Sequence, residues 1–119
     1  MIDLSFVPLE ELRKIRSADL PRTEKAARLA AACRLNALYA IKTAGSGHIG
    51  SSFSSLDVVT WLHLFEKTAD DVYFSSKGHD VPGLYALMTA LETMEFSKLG
   101  QLRRLGGLPG HPDVYVPGI

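Results

Sequence analysis

The sequence predicts an α/β fold of which this chain holds the opening, mostly helical part. Helical spacing of apolar residues covers most of the 119 residues, whereas one short segment, Asp71 to Ser75, is rich in β-forming residues and predicts a buried strand. A single strand cannot form a sheet, and helices alternate around it. We therefore expect residues 1–119 to form one incomplete domain that contains the first strand of a layered fold.

The first two predicted helices lie in the N-terminal part of the chain. Pro8 begins a short amphipathic helix, because proline is tolerated in a first helical turn. The alanine-rich run from Arg22 to Ala44 has the spacing of a buried helical face, and Gly45 is a natural stop. So many alanines allow a neighbouring backbone to approach closely, which predicts a helix packed between other elements.

Three further helices are predicted in the remainder of the chain. Ser54, with Asp57 three positions later, resembles a capping box and predicts a helix that ends near Lys67. Pro82 begins the next helix, and Ser97 caps a last one that continues through Leu102 and Leu105.

Composition excludes several classes of partner. Thirteen basic residues balance thirteen acidic ones, so the chain lacks the positive charge expected of a nucleic-acid or anionic-membrane binder. No apolar run reaches the ~20 residues of a membrane span, and the N-terminus does not resemble a signal peptide. Cys33 is the single cysteine and is expected to act as a small core residue, so we expect a cytoplasmic protein.

The segment from Gly45 to Gly50 matches the G-x-G-x-x-G pattern of dinucleotide-binding proteins. That motif requires a strand before it and a helix directly after it, but an alanine-rich helix precedes Gly45. The phosphate-binding loop also fails, because Ser51 stands where a lysine is needed. Neither kind of nucleotide site is predicted.

Three of the four histidines, His48, His79 and His111, lie in glycine-flanked turns. A turn holds the imidazole on a scaffold, and the glycines allow a ligand to approach the backbone, although ordinary surface histidines are the alternative. Spacings of 31 and 32 residues do not favour a metal site, so no metal ligand is predicted. His63 lies in a helical run and is expected to be a packing or interface residue.

Three segments together resemble transketolase: AGSGHIGSS at residues 44–52, DVYFSSKGH at residues 71–79, and the stretch that starts with LPGHPD at residues 108–119. Their order and separations also fit, and the resemblance runs from about Arg28 to the last residue. It implies the N-terminal, pyrophosphate-binding domain of that family, a parallel-sheet α/β domain. The active site of such enzymes forms at a dimer interface with the pyrimidine-binding domain of another subunit.

The resemblance implies transfer of a two-carbon ketol unit from a ketose to an aldose with thiamine diphosphate and Mg²⁺. His48 and His79 would lie beside the thiazolium ring and the substrate carbonyl, and His111 would hydrogen-bond the donor's terminal hydroxyl. Gly47 would keep its turn tight beside the cofactor, as Gly110 would at the third turn. Ser46 would help to orient the substrate through its neighbouring histidine, and Asp113 would orient His111.

Two departures from the family pattern bear on independent activity. Ile49 stands where full-length transketolases usually carry proline, and Lys77 where many carry asparagine, which is similar to the branch with separate N-terminal and C-terminal subunits. The Gly-Asp-Gly…Asn motif that holds magnesium and diphosphate, and the glutamate that activates the aminopyrimidine, are expected after Ile119. We therefore expect this chain to require a remaining portion or a C-terminal subunit, and to be inactive alone.

Alternatives to this interpretation stay open at the level of sequence. A deoxyxylulose-phosphate synthase or a pyruvate dehydrogenase first component has a comparable first histidine turn, although the turn at His111 favours transketolase. A truncated, non-catalytic homologue that binds a partner is a third hypothesis, and such a chain would expose apolar helix faces. The sugar pair, phosphorylated or not, is not predicted.

Overall fold

The structure is built from helices packed around one helix that is buried along its whole length. The computed structural model describes residues 5–45, 49–73 and 81–101. Its elements are α1 (Leu9–Ser17), α2 (Arg22–Ala44), α3 (Ile49–Trp61), a π-helical turn (Leu62–Glu66), α4 (Val81–Ala90) and a 3-10 helix (Phe96–Gln101).

Helix α4 lies at the centre of this packing. All ten of its residues are buried, and none of them is charged. A helix that is apolar all round has no face for water and must be enclosed by other elements. Here α1, α2, α3 and the 3-10 helix pack against it.

Helix α2 confirms the sequence prediction over Arg22 to Ala44 and is the longest element. Gly45 ends it at φ 80°, where its N–H donates to the Ile41 carbonyl oxygen at 2.9 Å. Alanines form much of the buried face, so α4 packs closely against it. Cys33 is fully buried, and burial raises the pKa of its thiol to about 12, as expected for a small core residue.

The capping box predicted at Ser54 is wrong. Helix α3 already includes Ile49, and the Ser54 hydroxyl donates to the carbonyl oxygen of Gly50, one turn earlier, at 2.9 Å. A serine inside a helix makes this bond instead of capping the next turn. Asp57 forms an ion pair with Arg34 of α2 at 2.9 Å. The predicted end near Lys67 is confirmed, because the π-helical turn ends at Glu66.

The strand predicted over residues 71–75 is absent from residues 71–73, the part of it that the structure describes. Asp71 to Tyr73 form no regular element, while Phe74 and Ser75 lie outside the described residues. The Asp71 carboxylate accepts hydrogen bonds from the Thr68 N–H at 2.8 Å and from its hydroxyl at 3.1 Å. These local bonds form a turn that competes with extended pairing. The described ranges are thus mostly helical and contain no strand.

The remaining helix predictions are close to the structure. Helix α1 begins directly after Pro8, whose carbonyl oxygen accepts the N–H of Leu12 at 3.2 Å. Helix α4 includes Val81, one residue before the predicted start at Pro82. The expected cap at Ser97 is wrong, since Ser97 lies inside the 3-10 helix. Leu102 and Leu105 lie outside the described residues.

Asn36, a fully buried polar residue of α2, fastens the segment that precedes α1. Its side-chain oxygen accepts the Val7 N–H at 2.6 Å, and its amide nitrogen donates to the Val7 carbonyl oxygen at 3.2 Å. Phe6, the residue before Val7, packs edge-on against Tyr39 and Phe96. These contacts join the segment to α2 and to the 3-10 helix. The N-terminal segment therefore closes one side of the core.

Glu92 joins the end of α4 to α1. It adopts φ 62°, and the N–H groups of Glu92 and Thr93 donate back to Thr89 and Met88, as in a Schellman cap. Glycine usually occupies this left-handed position, because a side chain there costs about 1 kcal/mol. The Glu92 carboxylate instead binds the guanidinium groups of Arg13 and Arg16, at 3.0 and 2.8 Å.

Replacing Asn36 with alanine should destabilise the fold. Both Val7 backbone groups would lose their partner, so we expect the free energy of unfolding to fall by about 2 kcal/mol, measured by urea denaturation. Ser17→Ala is the control, because that exposed hydroxyl bonds only to carbonyls of its own helix. If Asn36→Ala lowered the free energy of unfolding no more than Ser17→Ala does, the hydrogen bonds between Asn36 and Val7 would not be what holds the N-terminal segment.

Glu92 should make stability sensitive to acid. Hydrogen bonds from Arg13 and Arg16 lower the pKa of Glu92 from its ordinary 4.5 to about 2. Its stabilising contribution is therefore fully present above pH 4.5 and is lost as the pH falls towards 2. We expect the difference in unfolding free energy between wild type and Glu92→Gln to shrink over that range. If the difference in unfolding free energy stayed constant from pH 7 to pH 2.5, the Glu92 carboxylate would not be the group that makes stability sensitive to acid.

Candidate functional site

The residues predicted to form the site all lie outside the described residues, and so do Gly110 and Asp113. The structure describes instead the elements on either side of the first two histidine turns. Helix α2 ends before the first turn and α3 follows it, while α4 follows the second. The predicted site residues in question are Ser46, Gly47, His48, His79 and His111.

The helices that follow those two turns touch at their first turns. The Gly83 N–H of α4 donates to the Ser52 hydroxyl oxygen of α3 at 3.0 Å, and Ser52 is fully buried. A Cβ atom added to Gly83 would lie 3.1 Å from the Ser52 Cβ and 3.2 Å from its Cα and carbonyl oxygen. Such contacts are tighter than ordinary van der Waals contacts, so any side chain at this position would require Ser52 to shift by a few tenths of an ångström.

This contact was not predicted from the sequence, although a regularity in it could have been noticed. Ser52 lies four residues after His48, and Gly83 lies four residues after His79. The two histidines thus precede the paired positions by the same number of residues. The contact joins residues 31 positions apart, so no local pattern of apolar spacing indicates it.

The joined helix beginnings carry no acidic side chain in their first turns. Backbone N–H groups at a helix N-terminus bear partial positive charge, which an acidic residue in the first turn would offset. Within the described part of these two turns, no acidic side chain offsets that charge.

Arg34 fixes α3 against α2. Its guanidinium donates two hydrogen bonds to the Phe53 carbonyl oxygen, at 2.9 and 3.1 Å, and pairs with Asp57. The charge is partly shielded from water, which strengthens such bonds relative to those of an exposed pair. Helix α3 is thereby held from the α2 side while its first turn contacts α4.

His63 has the packing role expected from the sequence. It lies in the π-helical turn, its Nδ1 atom is 2.9 Å from the Val59 carbonyl oxygen, and its ring meets Tyr73 edge-on. Burial lowers the pKa of His63, so the ring stays neutral at physiological pH. A neutral ring that donates from Nδ1 explains the contact with Val59.

A cleft of about 190 Å³ lies between the π-helical turn and the later part of α4. Leu84, Met88 and Leu91 form its apolar side, and polar groups come from His63, Lys67, Asp71, Tyr73 and Thr93. Asp71 already accepts two hydrogen bonds from Thr68, which lower the pKa of its carboxyl. Neither Ser52 nor Gly83 lines this cleft, although Leu84 follows Gly83 directly in the chain.

The described ranges contain neither a metal-binding cluster nor a helix that could span a membrane. No set of three histidine, cysteine or acidic side chains in residues 5–45, 49–73 and 81–101 is arranged to hold a metal ion. None of the helices in these ranges combines the length and the apolar composition needed to cross a bilayer.

Comparison with known proteins gives one informative match. The chain is 35% identical over 86 residues to one of the subunits of the apulose-4-phosphate transketolase of Phocaeicola vulgatus. The match covers 64% of this chain and 31% of that relative, so the chain spans about a third of its relative's length. No protein-family profile matches the chain, and no solved structure matches it significantly. The match supports a relationship between this chain and the transketolase family.

Proposed function

We propose that this chain forms one wall of a thiamine-diphosphate-dependent site that transfers a two-carbon ketol unit between sugars. The observation that carries the proposal is the contact of Ser52 with Gly83. His48 directly precedes α3, and His79 lies two residues before α4. Because the contact holds the first turns of these helices together, covalent connection would keep both histidines within a few residues' length of one crossing.

Sequence similarity supports the same proposal independently. The matched relative is named as one subunit of a transketolase. The three histidine segments of this chain resemble those of that family. The naming of separate subunits also supports a second polypeptide that completes the enzyme. Because the name includes a sugar phosphate, phosphorylated sugars are the substrates to test first.

The histidines would act by holding and moving protons. Imidazole donates or accepts a hydrogen bond near neutral pH, so His48 and His79 would orient the substrate carbonyl and exchange a proton with the adjacent hydroxyl. His111 would donate a hydrogen bond to the terminal hydroxyl of the donor sugar. Bound thiamine diphosphate would supply the nucleophile and the electron sink that breaking a carbon–carbon bond requires.

The described residues do not fit an anchor for magnesium and diphosphate, which needs oxygen ligands gathered around the ion. No step of the proposed reaction is therefore assigned to a metal held by these residues. A remaining portion of the enzyme or a partner subunit would bring the Gly-Asp-Gly…Asn motif.

Turnover by the assembled enzyme should depend on the turn histidines. With the motif-bearing polypeptide, thiamine diphosphate and Mg²⁺ present, His48→Ala and His79→Ala should each lower kcat by about a hundredfold or more, because a proton-transfer group is lost. His63→Asn is the matched control, since its amide nitrogen lies at the position of Nδ1 and can still donate to the Val59 carbonyl. We expect the control to retain kcat within twofold. Equal losses in all three variants would contradict the proposal.

The 119-residue chain alone should not bind thiamine diphosphate tightly. Calorimetry with Mg²⁺ should show no saturable heat below millimolar cofactor, and the motif-bearing portion, supplied as a longer chain or as a partner subunit, should restore binding, because the diphosphate anchor is expected there. Tight binding by residues 1–119 alone would refute this division of the cofactor site between these residues and the motif-bearing portion.

A further inference from the structure

We propose that the cleft between the π-helical turn and the later part of α4 binds a small zwitterion with an apolar side chain, an α-amino acid of about the size of leucine. The residues that line this cleft lie in the described ranges 49–73 and 81–101. Binding there requires neither thiamine diphosphate nor ketol transfer, so this site is separate from the proposed function.

The apolar side of the cleft is suited to a hydrocarbon group. Leu84 and Met88 of α4 and Leu91, directly after it, line this side with the spacing of one helical face. An apolar cavity of about 150 Å³ holds a six-carbon ring, so the 190 Å³ of this cleft accommodates a leucine side chain. Removal of those carbons from water would supply most of the affinity.

Two opposite charges lie on the polar side of the cleft. Lys67 and Asp71 both line it, and both residues are exposed. Hydrogen bonds from Thr68 lower the pKa of the Asp71 carboxyl, and the nearby Lys67 ammonium lowers it further. No ion pair among the described residues joins Lys67 to Asp71. The two charges are therefore close to each other but not in contact.

Both charged groups can bind a ligand. Asp71 accepts the two hydrogen bonds from Thr68 through Oδ2, so Oδ1 can accept from an ammonium group. The Lys67 ammonium can donate to a carboxylate. Burial lowers the pKa of His63 and keeps its ring neutral, so the charges that line the cleft sum to zero. A zwitterion matches this pair of charges better than an anion or a cation does.

The backbone around both charges is held in place before any ligand binds. The Lys67 N–H donates to the Leu62 carbonyl oxygen at 2.6 Å, which closes the π-helical turn. The His63 ring packs edge-on against Tyr73, so the segment that carries Asp71 is joined to that turn. A site that is ordered in advance loses less conformational entropy on binding.

The test follows the methyl signal of Met88 in the full chain labelled with ¹³C-methyl methionine. Titration with L-leucine should shift this signal to saturation with a Kd of about a millimolar, as expected for a ligand of so few atoms. Met94 is the internal control, because it is buried but does not line the cleft. Glycine has both charges but no side chain and should bind at least about tenfold more weakly.

Two further ligands separate the contributions of the charges. 4-Methylpentanoate is leucine without its ammonium group, and 3-methylbutylamine is leucine without its carboxylate. Each should bind about threefold more weakly than leucine, because one exposed charge contact is lost.

Variants assign each charge to its residue. Lys67→Gln should weaken binding of leucine and 4-methylpentanoate about threefold and leave 3-methylbutylamine unchanged, whereas Asp71→Asn should weaken leucine and the amine only. The ligand that each variant still binds shows that the variant is folded. Lys42→Gln is the matched control, since this exposed lysine at the end of α2 does not line the cleft.

Three results would overturn the proposal. The first is a Met88 signal that leucine does not shift. The second is equal affinity for leucine, glycine and the two singly charged ligands, which would remove the match to a zwitterion with an apolar side chain. The third is affinity for leucine in Lys67→Gln and Asp71→Asn equal to that in Lys42→Gln.

Discussion

Complete burial of α4 is the constraint on which the rest of this structure depends. Ten consecutive residues without a charge have no face that can meet water, so four other elements must enclose them. The alanine-rich face of α2 allows the necessary close approach, and the small residues Ser52 and Gly83 allow it at the crossing with α3. Close packing in turn brings buried polar groups together, and each of these needs a partner.

Those polar groups are satisfied by specific contacts between distant parts of the chain. Asn36 binds both backbone groups of Val7, Arg16 caps the last turn of α4, and Ser52 accepts from Gly83. Each bond joins an element to the core at one of its ends, where the backbone has unpaired donors or acceptors. The crossing of α3 and α4 differs from the others because it follows two histidine turns, which relates the packing to the proposed site.

Local sequence patterns predicted the helices well and their ends unevenly. The α2 bounds follow from apolar spacing between Pro21 and Gly45, both of which act through backbone geometry. The Ser54 prediction failed because serine can either cap a helix or bond back within it, and the pattern does not distinguish the two. The Asp71 segment has β-forming residues, but a strand also needs a neighbouring strand, and the carboxylate already binds Thr68.

The candidate site likewise combines features that the sequence predicts with contacts that it does not predict. Glycine-flanked histidines are visible in the sequence because the residue types and their order carry the information. The pairing of Ser52 with Gly83 is not visible, since it depends on how α3 and α4 cross after the core has formed. Asn36 and Glu92 were missed for the same reason, because their partners lie 29 and 79 residues away along the chain.

The most direct test of the central claim is a crystal structure of this chain assembled with the motif-bearing polypeptide, thiamine diphosphate and a sugar substrate. The account predicts that the imidazole rings of His48 and His79 both reach the same bound molecule, by a hydrogen bond or through one water. It also predicts that Ser52 and Gly83 remain hydrogen-bonded beside them. A structure in which either ring faces away from the bound molecule would contradict the claim that this crossing organises a ketol-transfer site.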